Sequence, residues 1–115
     1  MKKKSLRFGK GFRVAFGNRH AQAAEMVIAP GGHEGNSQNR HRGSDQWLFV
    51  LSGTGIAVIN DKRYSLRRNT LLLLRRGDRH AIRNSGVSML RTLNLYVPPA
   101  YTPAGTPLPR GKGAE

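Results

Sequence analysis

Turn-forming residues interrupt the apolar part of this chain, between about Ala21 and Tyr96, at short and regular intervals. Each interval holds a run rich in branched and aromatic residues, and none of these runs suits a helix longer than two turns. Regular spacing of this kind is typical of a β-sandwich or a closed β-barrel. About eight strands are predicted, at residues 13–16, 21–28, 46–51, 54–59, 62–66, 71–74, 80–83 and 89–97.

Local signals predict how some of these strands are arranged. Residues 46–51 and 54–59 flank the dipeptide Ser52-Gly53, which predicts a hairpin. The four consecutive leucines at 71–74 predict a strand buried on both faces. The stretch 32–44 is polar and rich in Gly and Asn, which predicts a loop.

Length and composition indicate one domain with polar ends. The 115 residues suffice for a single core, and 37% of them are apolar. Residues 1–12 are predicted to form a basic arm, residues 13–101 the folded body, and residues 102–115 a tail rich in Pro and Gly. The chain has no cysteine, which excludes disulfides and thiolate metal ligands. No apolar run reaches the length of a signal-peptide core or a membrane helix, so we expect a cytoplasmic location and no membrane partner.

The charge is strongly unbalanced. Twenty Lys and Arg against six Asp and Glu give a formal net charge of +14. A field of this size attracts anions, including nucleic acids and acidic metabolites. The arginines are scattered along the whole chain, however, which disfavours a specific nucleic-acid site.

Two segments resemble the paired signature motifs of the cupin superfamily. The first family pattern is G-x5-H-x-H-x(3,4)-E-x6-G. When Gly53 is taken as its final glycine, His41 occupies the second histidine position. Gln46 stands at the carboxylate position and Asn39 at the first histidine position, so two of the ligand positions are changed.

The second family pattern is G-x5-P-x-G-x2-H-x3-N. Gly77, His80 and Asn84 match it, while Asn69 and Arg75 stand at the leading glycine and the proline. The resemblance covers roughly residues 21–101. It implies an all-β fold, the double-stranded β-helix or jelly-roll barrel of a single cupin domain. Family members commonly dimerise, so a homodimer is also expected.

The resemblance further implies a metal centre at the mouth of the barrel. Such centres usually combine three histidines with a carboxylate, a donor set that suits Fe, Mn, Ni, Zn or Cu. Here His41, His80 and Gln46 are the expected ligands of a divalent metal, with Asn39 as a further candidate. This ligand set carries no negative charge, which disfavours binding of a divalent cation in so basic a protein. In the alternative interpretation His41 and His80 only form hydrogen bonds, and Asn84 forms a turn.

Other residues are candidates for ligand or partner contacts. Basic side chains beside His80 could hold an anionic ligand through charge-assisted hydrogen bonds. Glu34 could reach the mouth from the preceding loop. Because successive residues of a strand alternate, Trp47 and Asp45 should lie on the face opposite Gln46, and Trp47 is the candidate for a subunit contact. The predicted ligand-binding residues are Arg76, Arg79, Arg83, Asn94 and Tyr96.

Three functions remain open at this level. The first is a cupin that binds a small anionic molecule, with or without a divalent metal. The second is a metal-dependent enzyme, an oxygenase or an isomerase, in which His41 and His80 hold the ion. The third is a basic accessory protein that associates with nucleic acid through the arm containing Lys2, Lys3 and Lys4. The sequence assigns no catalytic residue.

Overall fold

Buried side chains alternate with more exposed ones along the longest strands, as in residues 45–52 and 90–97, so that one face of each packs inward. The computed structural model describes residues 1–35 and 43–108. No helix with the length and hydropathy to span a membrane occurs among these residues. The described residues form nine strands: β1 (Gly11–Gly17), β2 (Gln22–Ile28), β3 (His33–Gly35), β4 (Asp45–Ser52), β5 (Gly55–Ile59), β6 (Lys62–Leu66), β7 (Leu71–Leu74), β8 (His80–Asn84) and β9 (Leu90–Val97).

The strands form two antiparallel sheets that enclose one core. The first sheet has the order β1-β2-β9-β4-β7 and the second the order β3-β8-β5-β6. The side chains between the sheets exclude water, and this burial is the main favourable contribution to folding. The all-β architecture expected from the sequence is confirmed. The buried apolar core contains Met26, Ile28, Leu48, Val50, Ala57, Leu66, Ile82 and Leu90.

The predicted hairpin between β4 and β5 is wrong, because the two strands belong to different sheets. Gly53 carries the chain from one sheet to the other with a φ of 92°. A side chain at this position would collide with the carbonyl oxygen of Met89. The Ser52-Gly53 signal therefore marks a change of sheet, which requires the same left-handed backbone as many hairpin turns.

Two further predictions about single segments are also wrong. The strand β7 is not buried on both faces, because it forms the edge of its sheet and its outer side chains are open. Leu71 and Leu73 are 58% and 43% exposed. The stretch predicted as a continuous loop contains the short strand β3, which pairs with β8. A polar three-residue strand of this kind gives no period-two apolar signal.

The basic N-terminal arm lies against the outer side of β1 and β2. The backbone N–H of Phe8 donates a hydrogen bond to the carboxylate of Glu25, and Lys4 Nζ donates to the carbonyl oxygen of Ala15 at 3.0 Å. Glu25 is only 4% exposed, although it lies on the outward face of β2. The arm therefore covers the β1–β2 half of this sheet.

Candidate functional site

A cavity of about 190 Å³ lies between the two sheets. The inward-facing residues of six strands meet there, together with one side chain that follows β9. Because these strands alternate, every second residue is available to the cavity. The lining residues are Phe12, Met26, Glu34, Gly35, Gln46, His80, Ile82, Tyr96 and Tyr101.

Three aromatic rings form one wall of the cavity. The ring centroids of Phe12 and Tyr101 lie 4.7 Å apart, and those of Tyr96 and Tyr101 lie 5.1 Å apart. Phe12 and Tyr96 meet edge to face at 6.5 Å. Separations and tilts of this kind are favourable for aromatic pairs. The wall is therefore a packed cluster and offers an apolar surface to a ligand.

Gln22 holds the backbone of Tyr101 over the cavity. Its Nε2 donates a hydrogen bond to the carbonyl oxygen of Tyr101 at 2.7 Å. Its Oε1 accepts from the backbone N–H groups of Tyr101 and Ala100, at 3.1 and 3.3 Å. One buried side chain thus fixes the segment that carries the third ring of the wall.

His80 supplies a neutral imidazole to the polar side of the cavity. Burial lowers the pKa of His80, and a hydrogen bond to the backbone of Asp78 and the Asp78 charge oppose this only in part. Since the ordinary value is 6.5, the ring is uncharged at neutral pH. A neutral imidazole has one donor and one acceptor nitrogen.

Gln46 is held from behind by a chain of hydrogen bonds. Its Nε2 donates to Asn94 Oδ1 at 2.8 Å, and Asn94 Nδ2 donates to Thr92 Oγ1 at 3.0 Å. The Thr92 hydroxyl donates in turn to the carbonyl oxygen of Met26 at 2.7 Å. Gln46 Oε1 is buried and has no hydrogen-bond partner among residues 1–35 and 43–108.

Glu34 and two tyrosine hydroxyls complete the polar lining. Burial raises the pKa of Tyr96 well above 10.0, and its interaction with Tyr101 and the charge of Glu34 raise it further. Burial also raises the pKa of Tyr101. Both hydroxyls are therefore protonated at neutral pH. Among the described lining residues Glu34 is the only acidic side chain, and none is Lys or Arg.

The structure brings together part of the predicted site. Gln46, His80 and Tyr96 all line the cavity. Asn94 is fully buried behind Gln46 and holds it in place. The predicted ligands His41 and Asn39 lie outside the described residues.

The arginines predicted to bind a ligand are not among the described residues that line the cavity. Arg76 Nε lies 3.5 Å from Asp45 Oδ1, and Arg79 Nη2 lies 2.8 Å from Asp61 Oδ2. Arg83 is exposed on the outward side of β8. Anion binding by these residues stays a prediction.

The donor groups of the described residues do not by themselves fit a metal ion. A divalent transition metal in a protein typically has at least three protein ligands. Only two of the described lining residues, His80 and Glu34, are of the His, Cys, Asp or Glu type, and the carbonyl oxygen of Gln46 adds an uncharged donor. In the described part of the chain, no group of three or more His, Cys, Asp and Glu side chains is placed to hold an ion. The metal site thus stays a prediction that requires His41.

Sequence reasoning missed two of the three rings of the aromatic wall, Phe12 and Tyr101, and the support that Gln22 gives to Tyr101. Phe12 falls at the boundary between the predicted arm and the body, and Tyr101 follows the last predicted strand. Neither belongs to a signature motif. Gln22 begins β2 and binds a backbone segment 79 residues away, as measured between Gln22 and Tyr101. No local pattern signals a contact of that range.

Comparison with known proteins identifies the family. Residues 24–96 match the family model described as a cupin domain. A tetracenomycin polyketide synthase protein from Streptomyces glaucescens is 32% identical over 78 residues, which cover 68% of this chain. The match covers 51% of that protein, so the chain spans about half the length of this curated relative.

Solved structures agree with this match. A crystal structure from Bacillus halodurans is 25% identical, has a TM-score of 0.76, and covers 91% of this chain and 82% of its own. An uncharacterized protein with a double-stranded β-helix domain from Klebsiella pneumoniae has a TM-score of 0.72 at 16% identity, with 84% and 91% of the two chains covered. At that identity the likeness shows the fold alone. Because the family model matches more than half of the sequence and the folds agree, this chain belongs to the cupin domain family.

Proposed function

We propose that this cupin binds a small cyclic compound in the cavity between its sheets. The observation that carries the proposal is the division of the lining into an aromatic wall and a few buried polar groups. Small-molecule sites in proteins are mostly apolar and contain a small number of placed polar groups. The wall would bind the face or edge of a ring, and the polar groups would orient its substituents.

The volume of the cavity limits the size of the ligand. A cavity of about 150 Å³ is enough to hold benzene. The cavity of this protein, about 190 Å³, therefore suits a single ring with one or two small substituents. The similarity to a polyketide synthase protein supports a polyketide-derived ring as one class of ligand.

Binding is expected to depend on the aromatic wall. Replacing Tyr101 by alanine removes the ring that contacts both Phe12 and Tyr96, and should weaken binding of single-ring compounds such as phenol about tenfold. Dissociation constants from NMR titration measure the effect. Tyr64→Ala is the matched control, because Tyr64 is 45% exposed and lies outside this cavity. The proposal fails if no ring compound binds, or if the two variants bind alike.

We also propose that a second copy of the chain covers the outer apolar face of the first sheet. In the register of the sheet, Trp47 lies between Leu73 and Leu95, and Phe49 lies beside Leu71. A large exposed apolar surface of this kind usually marks a contact site. The outer apolar face consists of Trp47, Phe49, Leu71, Leu73, Leu95 and Val97, each at least 36% exposed.

Charge favours a second copy as the occupant. Two chains of charge +14 repel each other wherever their basic surfaces meet. Along β4, β7 and β9, however, the only charged residues are Asp45 and Arg91, near the ends of the outer apolar face. Two copies can thus meet across these strands with little repulsion.

The subunit contact is expected to depend on Trp47. A Trp47→Glu variant places a charge in the centre of the outer apolar face and should raise the dimer dissociation constant at least about 30-fold, as for other central aromatic contacts. Sedimentation equilibrium measures this constant. Tyr64→Glu is the control, because Tyr64 is an exposed aromatic residue of β6 in the other sheet. The proposal is contradicted if the unaltered protein is still a monomer in sedimentation equilibrium at about 100 times the concentration used to compare the variants.

A further inference from the structure

The hydrogen bonds behind Gln46 have only one consistent direction. The carbonyl oxygen of Met26 can only accept, so the Thr92 hydroxyl must use its one proton there. Thr92 Oγ1 must then accept from Asn94, which turns the Asn94 amide nitrogen towards Thr92. Asn94 Oδ1 consequently faces Gln46 and requires a donor. The Gln46 amide group therefore presents its nitrogen to Asn94, which leaves its oxygen, on a side chain that lines the cavity, for another donor.

From this direction we infer that the ligand of the cavity is a neutral ring whose hydroxyl or N–H group donates a hydrogen bond to Gln46 Oε1. The inference rests on the proposed function and specifies its ligand class. Gln46 is 2% exposed, and its Oε1 lacks a partner within the described parts of the chain. A buried acceptor left without a donor costs free energy, and a bound donor recovers it. The acceptor thus selects for a ligand that carries a donor.

The surrounding groups select against a negative charge on that ligand. The Glu34 carboxylate belongs to the same lining and repels an anion. No Lys or Arg side chain belongs to the described lining, so no cationic side chain there offsets this repulsion. Arg76 and Arg79 pair with Asp45 and Asp61 and do not belong to the described lining. A neutral donor therefore fits the cavity better than a carboxylate or a phosphate does.

The test compares probes of one size that differ in a single group. Phenol carries a donor, toluene has a methyl group in its place, and benzoate carries a negative charge. On the unaltered protein, phenol should bind about tenfold more tightly than toluene, and more tightly than benzoate at pH 7. The Gln46→Met variant keeps the length of the side chain and removes the acceptor. Its affinity for phenol should fall close to its affinity for toluene. NMR titration gives all of these constants.

The possible results separate this inference from the proposed function. Equal binding of phenol and toluene by the unaltered protein would overturn the donor inference while the cavity remained a ring-binding site. Tighter binding of benzoate than of phenol would overturn the inference that the ligand is neutral. Failure of all three probes to bind would overturn the proposed function and this inference with it. The comparison of probes needs no variant, so it is decisive even if Gln46→Met does not fold.

Discussion

Replacing Asn84 by aspartate is expected to lower the free energy of unfolding by more than about 3 kcal/mol at pH 7. Asn84 Nδ2 donates to the carbonyl oxygens of Ile28 and Ser88, at 2.7 and 2.8 Å, and its Oδ1 accepts from the N–H of Gly86. The residue is 2% exposed. A carboxylate has no proton to donate, so it would face two carbonyl oxygens as a buried charge. Urea unfolding measures the loss.

Asn18→Asp is the matched control for this change. Asn18 is exposed, and its Oδ1 only accepts, from the backbone N–H groups of His20 and Ala21. A carboxylate can accept the same two bonds, so the control should change stability by less than about 0.5 kcal/mol. Equal stability of the two variants would show that the donor bonds of Asn84 contribute little. That result would favour the interpretation of Asn84 as a simple turn former.

Replacing Gln46 by glutamate is expected to destabilise the protein by about 3 kcal/mol at pH 8 and by less than about 1 kcal/mol near pH 4.5. The ionised carboxylate cannot donate to Asn94 Oδ1, which the chain through Thr92 keeps facing this position. The protonated carboxyl group can donate there, as Gln46 does. Urea unfolding at several pH values measures the difference from the unaltered protein.

The sign of this pH dependence follows from the two states of the carboxyl group. Burial and the facing oxygen raise its folded pKa above the unfolded value of about 4.3. The folded protein thus holds the proton more tightly, and this contribution to stability is lost as the pH rises through the folded pKa. His80 has the opposite sign, because its lowered pKa gives a contribution that is lost as the pH falls below 6.5. A Gln46→Glu variant that is as stable as the unaltered protein at pH 8 would contradict the assigned hydrogen-bond direction.

Much of the fold could be predicted because the main strands carry a local signal. Runs of apolar residues between turn signals gave the positions of residues 46–51 and 89–97 to within a residue or two. Alternation of side chains then placed Trp47 on the outer side, where it is 40% exposed. The pairing of strands was harder. Gly53 produces the same sequence signal whether it closes a hairpin or changes sheet, and only the packing against Met89 decides between the two.

The candidate site could be predicted only where a motif or an alternating face placed its residues. Gln46 and His80 were found because they stand at positions of the cupin motifs. Asn94 and Tyr96 were predicted together as ligand-binding residues, because alternation shows that two residues share a face but not what covers it. The structure gives them different roles, as a support for Gln46 and as a lining residue. The contribution of Tyr101 depends on Gln22 through tertiary hydrogen bonds that no local pattern records.

The attachment of Tyr101 has a consequence for how its side chain can move. Gln22 holds the main chain of Tyr101 and of Ala100 by three hydrogen bonds, while the ring of Tyr101 packs against the rings of Phe12 and Tyr96. The ring can rotate about its own side-chain bonds without breaking the three bonds to Gln22. Side-chain rotation is far faster than the local unfolding of a segment. The ring of Tyr101 can therefore change position on a faster timescale than the backbone segment that carries it, which Gln22 keeps in place.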